Sequence, residues 1–217
     1  MQPILMIVLA TATGVPLGLW LRCNLATLGY RTAEEADRPA PGPRWWVVWT
    51  SALALGGLAT AAVMSHDTLA YLPLIPLAAT GPWLAAVDFD VLRLPNRVLA
   101  PTAAATLLAV VGLTVATQDW MTLMLPTVAS VATGGVFAAV HLATKGGIGF
   151  GDVKLATTIS LAVGPFGAGA VWLSLLAGSV AALVWAKATR GLGPIPCGPW
   201  LLFGAWAAAI ACAAIPG

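Results

Sequence analysis

The sequence predicts an all-α, polytopic integral membrane protein of about eight transmembrane helices, with both termini outside. Three observations carry this. Of 217 residues, 59% are hydrophobic and 8% are charged, whereas a soluble domain carries about 25% charged residues; the mean hydropathy is +0.91. Apolar runs close to the roughly 20 residues that cross a bilayer recur along the chain, separated by short polar breaks. All ten Lys and Arg residues fall in alternate breaks, the asymmetry that positive-inside retention produces.

The elements follow in order. The first run, 3–21, has no basic segment before it, and its first cation, Arg22, comes after it. It therefore reads as a retained span and not as a cleaved signal. The break 22–44 holds Arg22, Arg31, Arg38 and Arg44 together with Glu34, Glu35 and Asp37, which read as acids of a solvated loop. Spans at 45–64 and 68–87 flank the turn SHD, and DFDVLRLPNR (88–97) brings Arg93 and Arg97. Spans at 98–116 and 121–140 flank TQDW; HLATKGGIGFGDVK (141–154) then carries Lys145 and Lys154. The last spans are 153–163, 170–186 and 199–215, with Lys187 and Arg190 in the break 187–198. The odd-numbered breaks hold every cation and so face the cytoplasm.

The sixth span is short. About 12 residues give roughly 18 Å of helix, against a hydrocarbon core of about 30 Å. Either the membrane thins there or the helix starts below the cytoplasmic surface, which would set Asp152 inside the membrane zone. Irregular backbone at that depth must be buried in protein or line a wet cavity, and the glycines of GGIGFGD suit such a path.

Several chemistries are disfavoured. A net charge of +2 gives no electrostatic footprint for nucleic acid. Cys23, Cys197 and Cys212 form no C-x-x-C pair, so neither a zinc ribbon nor a disulfide framework is supported. No strand precedes GGIGFGD, so it is not a dinucleotide fingerprint. His66 and His141 fall on opposite sides of the predicted membrane, which argues against a His and Asp metal cluster. No G-x-S-x-G elbow supports a serine nucleophile.

The acids are more informative. Asp67 and Asp119 sit in outer turns. Asp88, at the end of the third span, and Asp152, opening the sixth, share the cytoplasmic edge. Ionisable groups there are expensive unless paired or hydrated. In one reading they anchor helix ends, with Arg93 or Lys154 as a salt-bridge partner. In another, two close carboxyls share one proton. The ionised member takes a proton from water and the protonated one hydrogen-bonds the scissile carbonyl, which is aspartyl proteolysis. The helix ends favour charge on Asp152 and disfavour it on Asp88. A third reading is a small proton- or cation-coupled transporter using the same aspartates. Such a protein should show internal repeat symmetry, and none is visible between the halves.

Three motifs carry a family resemblance. GFGDVKL, with Gly149, Gly151, Asp152, Lys154 and Leu155, resembles the GxGDxKL motif of type IV prepilin peptidases. VDFDVLRLPN resembles their first aspartate motif: Asp88 stands seven residues before Pro95, which Asn96 follows, and Asp90 lies two residues after Asp88. IPCGPWLLFGA (195–205) resembles their late IPFGPFLALGA segment, with Cys197 in place of phenylalanine. The resemblance implies a membrane-embedded aspartic endopeptidase of the bacterial inner membrane. Such enzymes remove the basic leader of prepilins or pseudopilins at the cytoplasmic face, just before the substrate's apolar helix.

By carry-over, Asp88 and Asp152 are the catalytic pair. Gly149, Gly151, Lys154, Asp90, Pro95 and Asn96 support the motifs, Lys154 through positioning or charge balance. Residues 1–64 become N-terminal spans with a short cytoplasmic loop and 65–217 the peptidase core, within one integrated membrane domain. The expected partners are the leader and apolar helix of the substrate and the bilayer, with no nucleic acid. No metal or cofactor is expected for peptide cleavage. Bifunctional members also methylate the product with S-adenosylmethionine and carry a loop with two C-x-x-C pairs. The loop 23–44 lacks them, so cleavage alone is expected here.

Overall fold

The computed structural model describes residues 2–65, 67–145, 147–189 and 195–214. His66, Gly146, Arg190 and Ile215, which entered the sequence reading, lie outside the described residues.

The described chain is all-helical. Its helices are α1 (Gln2–Ala26), α2 (Trp46–Met64), α3 (Ile75–Val91), α4 (Asn96–Thr117), α5 (Met121–Ala143), α6 (Phe150–Val163), α7 (Ala168–Ala188) and α8 (Cys197–Ala214). A 3₁₀ segment, Leu69–Leu74, leads into α3, and another, Gly164–Phe166, follows α6. Seven helical stretches are long and apolar enough to cross a membrane. The eighth helix, α6, has 14 residues, about 21 Å. It is buried along nearly its whole length, from Val153 to Val163. A helix enclosed by protein need not match the bilayer on its own, which accounts for the short span.

Three predicted boundaries are corrected. The first span was expected to end at 21, but α1 continues through Arg22 and Cys23 to Ala26. The third was expected to end before Asp88, but α3 runs to Val91, so both Asp88 and Asp90 are helical. A polar side chain at a membrane edge does not break the backbone ladder. What ends α3 is Leu92 in the left-handed region (φ 56°), whose N–H closes on the Asp88 carbonyl at 3.0 Å. Likewise α6 starts at Phe150, three residues before the predicted span, with Gly149 as its extended N-cap.

Small residues set the helix crossings, as expected where apolar lipid gives no drive to associate. Gly14 and Gly18 of α1 face α2, and a Cβ on them would lie 2.5 Å from Ala52 Cα and 2.6 Å from Val48 Cα. Gly178 of α7 presses on α8, where an added Cβ would stand 2.8 Å from the Trp200 carbonyl oxygen. Hydrogen bonds join α5 to α6: Ser160 Oγ to Thr133 Oγ1 and Ser130 Oγ to the Thr157 carbonyl, both 2.9 Å. The core lies along α3 and α6, and both α4 and α8 pack against each of them. The elements that carry the two motif aspartates are thus the most enclosed in the bundle.

Candidate active site

Asp88 lies in the penultimate turn of α3 with 3% of its surface exposed. Its Oδ2 accepts the backbone N–H of Gly198 at 2.8 Å. Gly198 is in the first turn of α8, so that amide has no partner within its own helix. Asp152 is the third residue of α6. Its Oδ1 is buried and has no hydrogen-bond partner. Its Oδ2 stands 3.1 Å from where a side chain on Gly149 would begin.

Leu94, in the α3–α4 connection, joins the two halves. A Cβ on Gly151, next to Asp152, would lie 3.0 Å from Leu94 Cβ. One on Gly198, against Asp88, would lie 3.4 Å from Leu94 Cδ2 and 3.0 Å from Asp88 Oδ2. Leu94 thus packs between the residues that flank Asp152 and Asp88, which brings the two acids to one end of the bundle. Among the described residues neither aspartate forms an ion pair.

The partners suggested for these acids are engaged elsewhere. Arg93 grips Glu35 with two hydrogen bonds of 2.8 Å, and Lys154 Nζ donates to Asn96 Oδ1 at 2.8 Å. The anchoring reading with Arg93 or Lys154 is therefore corrected. Glu35 is not a solvated loop acid either. Its Oε2 accepts the Thr32 N–H at 2.8 Å, and Arg93 holds its carboxyl down at about 2. Glu34 and Asp37 are exposed, as expected.

The remaining motif residues build the frame. Pro95 is the N-cap of α4 and Asn96 its first residue, so the Lys154–Asn96 bond ties the start of α6 to the start of α4. Asp90 is bound by Arg31 through Nε at 3.0 Å and Nη2 at 2.8 Å, by the Tyr30 hydroxyl, and by Arg44 at 3.3 Å. It locks the 27–44 loop to α3 and has no free oxygen for chemistry. His141 Nδ1 lies 2.6 Å from the Ile148 carbonyl oxygen and steadies the loop before α6.

The sequence reading missed Gly198, Tyr30, Arg31 and Arg44 as individual contributors. The only signal for Gly198 was its place in IPCGPWLLFGA. It also changes the expectation from the helix ends. The Gly198 N–H gives Asp88 a donor of its own, so the ends alone do not divide the pair into a charged and a neutral member.

The geometry is that of one buried and one half-buried carboxyl at the same end of a helical membrane bundle. The family model described as the type IV leader peptidase family, Peptidase_A24, matches residues 75–187, from the start of α3 to the end of α7, with both aspartates inside the match. No match was found among curated proteins or among solved structures. The match spans more than half of a multi-pass membrane chain and carries an aspartic prepilin peptidase activity with it; the chain belongs to the type IV leader peptidase family.

Proposed function

We propose that Asp88 and Asp152 are the catalytic pair of an endopeptidase that removes the basic leader of prepilins or pseudopilins. Cleavage takes place at the cytoplasmic face of the bacterial inner membrane. The single observation that carries this reading is a pair of carboxyls, a buried one from α3 and a half-buried one from α6 with a buried, unpartnered oxygen, neither of which forms an ion pair among the described residues.

Two such groups in contact with each other's field hold one proton between them more readily than none or two. The shared proton belongs to the pair and not to one residue. The carboxylate form draws a proton from a water set between the two side chains. The carboxylic acid form donates to the oxygen of the scissile carbonyl. When the resulting tetrahedral diol collapses, the carboxylic acid that took the water proton gives it to the departing amine while the other carboxylate takes a proton back from a diol hydroxyl, so the pair again holds one proton. The unpartnered Asp152 Oδ1 is left free for such a water, while Asp88 Oδ2 is taken by the Gly198 amide.

Leader removal alone, without methylation, is the reading favoured by the 27–44 loop. That loop has no cysteine, and its arginines are engaged in holding α3. It binds Asp90 and Arg93 through the side chains of Arg31, Glu35 and Arg44 and the Tyr30 carbonyl. This supports one integrated membrane domain in which residues 1–64 brace the peptidase core, 65–217. With all cations in alternate breaks, both termini lie outside.

The test is co-expression with a prepilin, followed by mass analysis of the product's N-terminus. Asp88→Asn and Asp152→Asn should each lower cleavage by about 10²–10⁴-fold, the contribution of a positioned acid or base, with unchanged insertion. Normal processing by either variant removes that residue from the mechanism. An added methyl group on the wild-type product would overturn the cleavage-only reading.

A further inference from the structure

Behind the loop, charge does not balance. The side chains of Arg31, Arg44 and Asp90 are 4%, 9% and 8% exposed. Both guanidiniums bind the one carboxylate, at 2.8 and 3.3 Å. The Tyr30 hydroxyl, which bridges Arg44 and Asp90, adds no charge. The cluster therefore carries one positive charge in excess while largely shielded from water. Arg38 adds a further cation at the rim, donating to the Asp90 carbonyl at 2.8 Å. The nearby acids do not compensate. Glu35 is held by Arg93, and Glu34 and Asp37 are exposed and form no ion pair among the described residues. A shielded cation without a counter-ion is strongly unfavourable.

Beside Arg44 lies a cavity of about 220 Å³, walled by Arg22, Leu25, Leu28, Pro41 and Pro43. Arg22 comes from the last turns of α1. Its guanidinium stacks 3.8 Å from the centroid of Trp45, and its Nε is buried without a hydrogen-bond partner. Among the described residues Arg22 forms no ion pair. The cavity thus has two guanidiniums, an apolar wall and no acid. It sits where α1 ends and α2 begins, the rim of two membrane spans. Trp45, which stacks on Arg22, is exposed, as are Trp20 on α1 and Trp49 on α2, the residue type found at headgroup level.

We infer that this cavity binds the phosphate of an anionic phospholipid. The phosphate sits between Arg22 and Arg44 and neutralises the excess charge of the Arg31–Asp90–Arg44 cluster. Arg22 offers its free Nε, and Leu25 and Leu28 meet the glycerol and the first methylenes. A planar guanidinium fork suits phosphate oxygens. The apolar wall and the position at the bilayer rim favour a lipid over free phosphate. The site is independent of the peptidase reading and shares no residue with the aspartate pair.

The test uses the full-length protein in detergent. Bound lipid is followed by native mass spectrometry and thermal stability by melting, with dioleoylphosphatidylglycerol, dioleoylphosphatidylcholine or inorganic phosphate added. The wild type should prefer phosphatidylglycerol over phosphatidylcholine by about tenfold, the effect of one charge-assisted contact. Arg22→Gln should abolish most of that preference. Lys187→Gln, which removes an exposed cation at the end of α7, should keep it. Equal binding of the two lipids by the wild type overturns the proposal without any variant. Equal losses in Arg22→Gln and Lys187→Gln overturn it as general surface charge. Stabilisation by millimolar phosphate equal to that by phosphatidylglycerol overturns the lipid assignment in favour of the free ion.

Discussion

Gly198→Ala is the sharpest perturbation of the aspartate pair that leaves both aspartates in place. The added methyl would start 3.0 Å from Asp88 Oδ2, 3.4 Å from its Cγ and 3.4 Å from Leu94 Cδ2. A carbon that close to a carboxylate oxygen is relieved only by movement of the carboxyl, and that movement lengthens the 2.8 Å bond from the Gly198 amide. A hydrogen bond to a charged group contributes about 1.5–3 kcal/mol net. At 1.36 kcal/mol per decade that is roughly a 10- to 150-fold fall in rate. Displacement of a reacting group by about 1 Å gives a loss of the same order.

The assay is leader cleavage of a purified prepilin in detergent, with kcat and KM measured separately. If Gly198 orients Asp88, kcat falls and KM stays, because the substrate-contacting surface is untouched. Gly135→Ala in α5 is the control, since nothing stands within 4 Å of its added Cβ; it should leave kcat unchanged. A Gly198→Ala protein with wild-type kcat would refute the argument. So would a loss of activity fully matched by a loss of folded protein, which would reduce Gly198 to a packing residue.

Two other substitutions probe the frame. Asp90→Asn removes the carboxylate that Arg31 and Arg44 share; the melting temperature in detergent should fall, and an unchanged value would show that the cluster is solvated. Glu35 titrates at about 2 in the folded protein, below its ordinary value of 4.5, because of Arg93. Its folded pKa is depressed, so its contribution to stability is complete above about 4.5 and is lost as pH falls toward 2. Between pH 5 and pH 2, the wild type should therefore lose more stability than Glu35→Gln, and parallel melting curves for the two would contradict the pairing.

Local signals in the chain delimit the spans well. The predicted 45–64 and 98–116 correspond to Trp46–Met64 and Asn96–Thr117, because an apolar run of fixed length is itself the physical requirement. Helix ends are less legible. Arg22, Asp88 and Asp90 look like breaks by polarity, yet a helix ends where its carbonyls find other partners, as at Leu92, and not where a side chain becomes charged. The motif aspartates could be read because the chemistry needs two of them on one side of the membrane. Their supporting contacts could not. Asp90 meets Arg31 across 59 positions and Asp88 meets Gly198 across 110, separations at which no periodicity or spacing rule applies. Only the folded bundle pairs these residues.

Those distant contacts give the two acids of one D-x-D stretch opposite surroundings, and so different proposed roles. Residues two apart on an α-helix point about 200° apart. On α3, Asp88 therefore faces inward to α8, and Asp90 faces outward to the 27–44 loop. The loop meets Asp90 with two arginines and a tyrosine hydroxyl, whereas α8 meets Asp88 with a single backbone amide. A carboxylate compensated by guanidiniums is held as an anion and has no use for a proton. One whose described partner is a single amide is costly as an anion out of water, which suits the proposed sharing of a proton. The same sorting applies across the site. Glu35 and Asp90 each have an arginine partner, while among the described residues Asp88 and Asp152 have none. The case for these two as the reacting pair therefore rests on where the cations are, as much as on where the motifs are.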